Sequence, residues 1–212
     1  MPTSVSFSNF NVSGNYHTDT QKEFIEGDSK KRNNMISDLL LGYENLSSPN
    51  PINISWNENN DTNDKADKYN VYLSEEEAFN SSVVYSFSEQ NAGIYNLKIN
   101  TQYYFKIESI HGNSSFFSDV SSFKINDSAP RNLFIEGVEN VRDLGGWNIA
   151  GEKTFKQGMI YRTAQFNYGG SKNDYVSAPT EKGKDELLNV LKIKTEIDLR
   201  RTIASFDYDE VN

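Results

Sequence analysis

Between Ile52 and Ile125 the apolar residues fall on every second position, in short runs parted by turn-forming residues. Ile52, Ile54 and Trp56 alternate with Asn53 and Ser55, and Tyr69, Val71 and Leu73 alternate with Asn70 and Tyr72. Tyr103, Phe105 and Ile107 alternate with Tyr104, Lys106 and Glu108, and Phe123 and Ile125 close the series after Ser118-Asp119. A period of two turns one side of each run to a core and the other to water, which is strand geometry and not helix geometry. Several such strands, separated by Asn, Asp, Ser and Gly with few helical signals between them, predict an antiparallel sandwich.

The approach to Tyr103 makes this more specific. Leu97-Lys98-Ile99-Asn100-Thr101-Gln102-Tyr103 sets an apolar residue, a Thr and a Tyr at alternating positions before a strand. A tyrosine there turns its hydroxyl back onto upstream backbone, the tyrosine corner of sandwich folds. With Trp56 as the anchor between the sheets, residues Pro49 to Asp127 resemble a fibronectin type III module, with Ile99 where most members carry proline. The resemblance implies a module that binds, spaces or orients and has no chemistry of its own. His111, in a His-Gly-Asn turn, is expected on the surface, because no second ligand sits at metal spacing.

The rest of the composition narrows function. Net charge is -9, which disfavours polyphosphate and anionic membrane surfaces. The one basic cluster, Lys30-Lys31-Arg32, reads as a solvated helix face, and no nucleic-acid partner is expected. With no cysteine there is no disulfide, thiolate zinc site or cysteine nucleophile within these residues. Only two histidines exist, so a metal-dependent phosphatase site is not expected and no metal or cofactor is implied. No run reaches the roughly 18 apolar residues of a membrane helix, and the start lacks a signal-peptide pattern. The Glu75-Glu76-Glu77 run reads as a solvated face.

Ahead of the sandwich, residues 1–17 read as a loose Ser/Asn-rich arm. Thr18 or Asp19 caps a short helix carrying Phe24 and Ile25 and ending at Gly27. Ser29 to Gly42 fits a second helix with Met35, Ile36, Leu39 and Leu40 on one face, and Ser47 to Pro51 is a linker.

Beyond Ser128-Ala129-Pro130 the pattern changes again. Leu133 to Ile135 predicts a strand, followed by Asn140-Val141-Arg142-Asp143-Leu144-Gly145-Gly146-Trp147. Two consecutive glycines after an Arg-Asp pair mark backbone that turns sharply or runs close to another group. Lys153 to Arg162 predicts a strand or hairpin turning at Gly158, and Phe166 to Ala178 a Gly/Ser/Asn-rich loop. Thr180 caps a helix whose buried stripe is Leu187, Leu188, Val190 and Leu191. Lys194 to Arg200 predicts a strand, with Asp198 and Arg200 at its carboxyl end, where α/β folds place their sites.

Three fragments thus stand in order: Asn-Val-Arg-Asp-Leu-Gly-Gly, Gly-Met-Ile-Tyr-Arg-Thr and Ile-Asp-Leu-Arg. Over Pro130 to Arg201 they resemble the opening of the bacterial-type tyrosine/dual-specificity phosphatases. The resemblance implies an α/β domain, phosphate-monoester hydrolysis through a phosphocysteine intermediate, and a later His-Cys loop holding the nucleophile, the anion cradle and the general acid. That loop is missing from these 212 residues, so the expectation is an N-terminal piece of such an enzyme, inactive as it stands. By the resemblance, Arg142, Asp143, Arg162, Asp198 and Arg200 belong near the substrate. For Asp143 and Asp198 an architectural ion pair comes first, and for Arg162 and Arg200 both roles stay open. Gly145 and Gly146 are backbone requirements.

The expected architecture is therefore multi-domain. Residues 1–48 form an arm and short helices, residues 49–127 an all-β fibronectin type III-like sandwich, and residues 130–212 a partial α/β phosphatase domain. Implied partners are a phosphorylated protein or phosphoinositide substrate for the full-length parent, and a protein partner for the sandwich. The rival reading is a non-catalytic interaction module with a vestigial tail. Localisation stays open: a fibronectin-like module leans extracellular, the missing leader cytoplasmic.

Overall fold

A computed structural model describes residues 1–40, 47–164 and 178–199, with the side chains of residues 38–40 excepted. It is mostly β-sheet with few short helices. The chain divides into two compact units, residues 1–38 with 49–128 and residues 39–48 with 129–212.

The first unit is a two-sheet sandwich. Strands β1 (Val5–Ser13), β2 (Ile52–Asn60) and β5 (Asn91–Ile94) form one sheet in the order β1-β2-β5. The other runs β4 (Val83–Phe87), β3 (Lys68–Ser74), β6 (Gln102–His111), β7 (Ser114–Phe117), with β8 (Ser121–Lys124) also on β6. The alternating residues Ile54, Trp56, Tyr69, Val71, Phe105 and Ile107 are buried between them. The Trp56 and Tyr69 rings meet edge to face at 5.3 Å, a geometry that suits their quadrupoles. The Tyr103 hydroxyl accepts the Lys98 backbone N–H at 2.8 Å, which completes the tyrosine corner.

Residues 1–17 are not a loose arm. Val5 to Ser13 pair antiparallel with β2, and Phe10 brings its ring to 5.9 Å from Phe105. A bulge between Ser8 and Asn11, with Asn9 at φ +52, interrupts the pairing. It moves the inward side from Val5 and Phe7 to Phe10 and Val12, and this shift hides the strand from a search for strict alternation. Between β1 and β2 lie α1 (Asp19–Glu26), closed by a Thr18–Gln21 capping box, and α2 (Ser29–Leu40). Asp28 caps α2 by accepting the Lys31 N–H at 2.8 Å, one residue ahead of the expected Ser29.

Both histidines are buried and held by carboxylates. His17 is wholly buried with Nδ1 at 2.8 Å from Asp127 Oδ1. His111, expected at the surface, is buried with Nε2 at 2.9 Å from Glu58 Oε1. It ends the inward-facing parity of β6, so its ring enters the core side and requires the partner that Glu58 supplies.

In the second unit, β9 (Arg131–Ile135), β10 (Val138–Asp143) and β13 (Tyr161–Arg162) form an antiparallel sheet in the order β13-β10-β9. A hairpin of β11 (Asn148–Ile149) and β12 (Lys153–Thr154) lies between β10 and β13 in sequence. Thr180 accepts the Gly183 N–H and starts α3 (Glu181–Asp185), which continues as a π-helical turn, Glu186–Val190. Leu133, Ile135, Val138, Val141 and Leu187 make the core, with Tyr161, Leu191 and Ile193 packed against it. Leu188, expected in the buried stripe, is exposed. The π-helical turn widens the helical repeat and leaves Leu187 as the inward side chain. The strand expected from Lys194 does not form over residues 194–199. No neighbouring strand pairs with it among the described residues, and Ile197 and Leu199 are 77% and 91% exposed. The loop expected at 166–178 lies outside the described residues except Ala178.

Candidate functional site

The Arg-Asp-Leu-Gly-Gly stretch ends β10, and strand geometry sends its two charged residues to opposite faces. Register then matches each with different neighbours. On the core face Arg131, Asp143 and Tyr161 stand in one row across β9, β10 and β13. On the other face the row is Asn132, Arg142 and Arg162.

The core-side row is a closed electrostatic knot. Arg131 Nη1 donates to Asp143 Oδ2 at 2.6 Å, with both side chains almost wholly out of solvent. The same carboxylate accepts the Gly145 N–H at 2.8 Å and the Gly158 N–H at 2.7 Å. Asp143 thus fixes the Gly-Gly turn and the Gly158 turn to β9 at once. A buried charge so fully satisfied is structural, and removing one partner strands the other. Burial pushes the Tyr161 hydroxyl pKa above its ordinary value, and the Asp143 charge adds to this while the Arg131 charge opposes it.

The two glycines answer separate demands. A Cβ on Gly145 would overlap the backbone of Lys156 and Gln157. Gly146, at φ +87, donates to the Phe155 carbonyl at 2.8 Å while the Phe155 N–H donates to Trp147 O. This is the pattern of a bulge whose first residue must be left-handed, a position suited to glycine.

The outer row opens to solvent only toward Arg162, since Asn132 at its other end is buried. Arg142 is half-buried, and its Nη2 donates to Asn140 Oδ1 at 2.7 Å. Its Nε is buried with no hydrogen-bond partner among the described residues. Arg162, directly opposite, is exposed. Among the described residues neither guanidinium meets a carboxylate. Like charges facing each other across two strands destabilise the pair, and an oxyanion between them reverses that sign, since guanidinium forks match phosphate oxygens. A cavity of about 210 Å³ borders the sheet at Asn140, lined also by Ser47, Ser48, Phe134 and Glu139. Its Glu139 carboxylate makes it a poor anion site.

Residues 133–205 match the tyrosine phosphatase family. A second match, to the fibronectin type III domain, covers residues 44–124. Searches of curated proteins and of solved structures return no match. The phosphatase-family segment contains all five residues named from sequence, and the structure describes four of them: Arg142 and Arg162 come together on one face, and Asp143 lies on the other with Arg131. Asp198 is exposed on a stretch without strand structure. Arg200 lies outside the described residues.

Two participants were not anticipated. Arg131 shares the parity of Leu133 and Ile135, so a cation on the buried side of a predicted strand was itself the signal that a carboxylate must face it. Asn132 carried no such signal. Among the described residues no group of three or more His, Cys, Asp or Glu is placed to hold a metal ion.

Proposed function

We propose that the segment from residue 130 onward is the opening portion of a cysteine-dependent tyrosine/dual-specificity phosphatase domain. In this reading Arg142 and Arg162 hold an oxyanion of a phosphate-monoester substrate, while Asp143 and Arg131 keep their strands in register. The observation that carries it is the guanidinium pair on β10 and β13 that meets no carboxylate among the described residues, inside the segment that matches the phosphatase family. The substrate is a phosphorylated protein or phosphoinositide. The thiolate and the general acid belong to a loop outside these 212 residues, because no cysteine occurs within them.

The chain alone binds phosphate and does not cleave its esters. Purified chain incubated with an aryl phosphate gives no release above buffer, and turnover that persists after thiol alkylation contradicts the assignment of chemistry to a cysteine loop. The absence of cysteine from the present residues is also compatible with a second reading, a non-catalytic interaction module in which the sandwich engages a protein partner. Phosphate binding at the arginine pair separates the two, because a vestigial tail has no use for it.

A further inference from the structure

The hairpin between β10 and β13 carries a surface that phosphate binding does not explain. Register pairs Asn148 with Thr154 and Ile149 with Lys153, and Phe155 bonds across to Trp147. Alternation therefore places Trp147, Ile149, Lys153 and Phe155 on one face and Asn148 and Thr154 on the other. At the hairpin base, Leu144 N–H donates to Ile160 O at 2.9 Å, which brings Leu144, Met159 and Ile160 to the same end of the ribbon. All six of these apolar side chains are exposed, Trp147 by 49% and Met159 by 64%. Six large apolar groups gathered in 17 consecutive positions (144–160) are more than scattered surface hydrophobes. At the hairpin tip, a Cβ on Gly151 would meet nothing within 4 Å, so there is open space beside the turn.

Charge decides what covers this face. From Leu144 to Arg162 the cations are Lys153, Lys156 and Arg162, and the only anion is Glu152, in a chain of net charge -9. An exposed hairpin with tryptophan, phenylalanine and aliphatic groups beside lysines has the composition of an interfacial membrane anchor. The lysines meet anionic headgroups while the rings enter the acyl boundary, and ionic screening confines repulsion from the rest of the acidic chain to about 8 Å at physiological salt. We propose that hairpin 144–160 docks on an anionic lipid bilayer, inserting Trp147 and Phe155. This local patch outweighs the bulk charge that argued against a membrane surface. The proposal does not depend on the phosphatase reading.

The chain supplies its own probe. It has two tryptophans, and Trp56 is buried in the sandwich core, so Trp147 is the one whose emission responds to lipid. The full chain is mixed with vesicles of phosphatidylcholine alone or with phosphatidylserine added, and emission and flotation are recorded. The expected result is a blue shift and co-flotation with the phosphatidylserine vesicles, quenching by brominated acyl chains, and little of either with the neutral ones. Lys153→Glu with Lys156→Glu lowers partitioning about tenfold or more, and Trp147→Phe removes the spectral shift while flotation persists. Unchanged emission with both compositions overturns the proposal. So does equal binding to neutral vesicles, or a hairpin-dependent dimer in sedimentation, which would make a second copy the occupant.

Discussion

Arg131 and Asp143 face each other across β9 and β10, joined by a 2.6 Å ion pair that water does not reach. The arginine beside Asp143 in sequence, Arg142, points the other way. The family-like motif therefore splits into a structural carboxylate and an outward guanidinium.

Asp143→Ala leaves the Arg131 guanidinium buried without its carboxylate, and two turn N–H groups lose their acceptor. The expected cost is about 3–5 kcal/mol, read as loss of the second unit's transition in urea. Adding Arg131→Ala costs less than the sum of the two single changes, because the pair acts as one unit. Additive losses would show that the two residues act independently.

Gly145→Ala pushes a methyl group into the Lys156–Gln157 backbone, and Gly146→Ala forces alanine to φ +87. Each is expected to destabilise the second unit, Gly146→Ala by about 1–3 kcal/mol and Gly145→Ala by more. Amide exchange at Gly158 and Phe155 rises first. A Gly145→Ala protein as stable as the parent would place that backbone elsewhere.

How much of this was legible varies with the range of the interaction. Trp56 and Tyr103 were readable because their cues, period two and a corner motif, lie within a few residues. Strand β1 was not, because its bulge shifts the apolar parity between Phe7 and Phe10. The partner of Asp143 lies 12 residues away in another strand, and only strand register selects Arg131 over the adjacent Arg142. Lys194 to Leu199 has strand-like alternation, but pairing requires a neighbour that alternation cannot supply.

Tyr103→Phe deletes the acceptor of the Lys98 N–H at the tyrosine corner. A buried hydrogen bond lost from one side costs roughly 1–3 kcal/mol, here in the sandwich transition while the second unit is unaffected. In a Trp147→Phe background, chemical denaturation followed by Trp56 fluorescence reports the sandwich, and an unchanged midpoint would deny the corner its role.

Acid sensitivity follows from Asp127. Burial raises its pKa, but hydrogen bonds from the His17 side chain and the Ser128 and His17 backbone outweigh this and hold it below its ordinary 3.8. A depressed folded pKa means the unfolded chain takes up the proton first. The contribution is therefore fully present above 3.8 and is lost as pH falls through the folded value. Asp127→Asn flattens the sandwich's stability in that window, seen as thermal midpoints that vary less between pH 5 and pH 2 than those of the parent, on the order of the ordinary carboxylate range. A parallel pH profile in the variant would remove Asp127 from the account.

The reading most open to test is the phosphate-binding role proposed for Arg142 and Arg162. Its most direct test is a titration of the 212-residue chain with inorganic phosphate and with phosphotyrosine, followed through the arginine Nε–H resonances. The account predicts saturable shifts at Arg142 and Arg162 that weaken with salt, vanish in the Arg142→Ala and Arg162→Ala double variant, and come with no ester cleavage. Arg142 and Arg162 resonances that stay put through the titration, or shifts confined to Arg131, would contradict it.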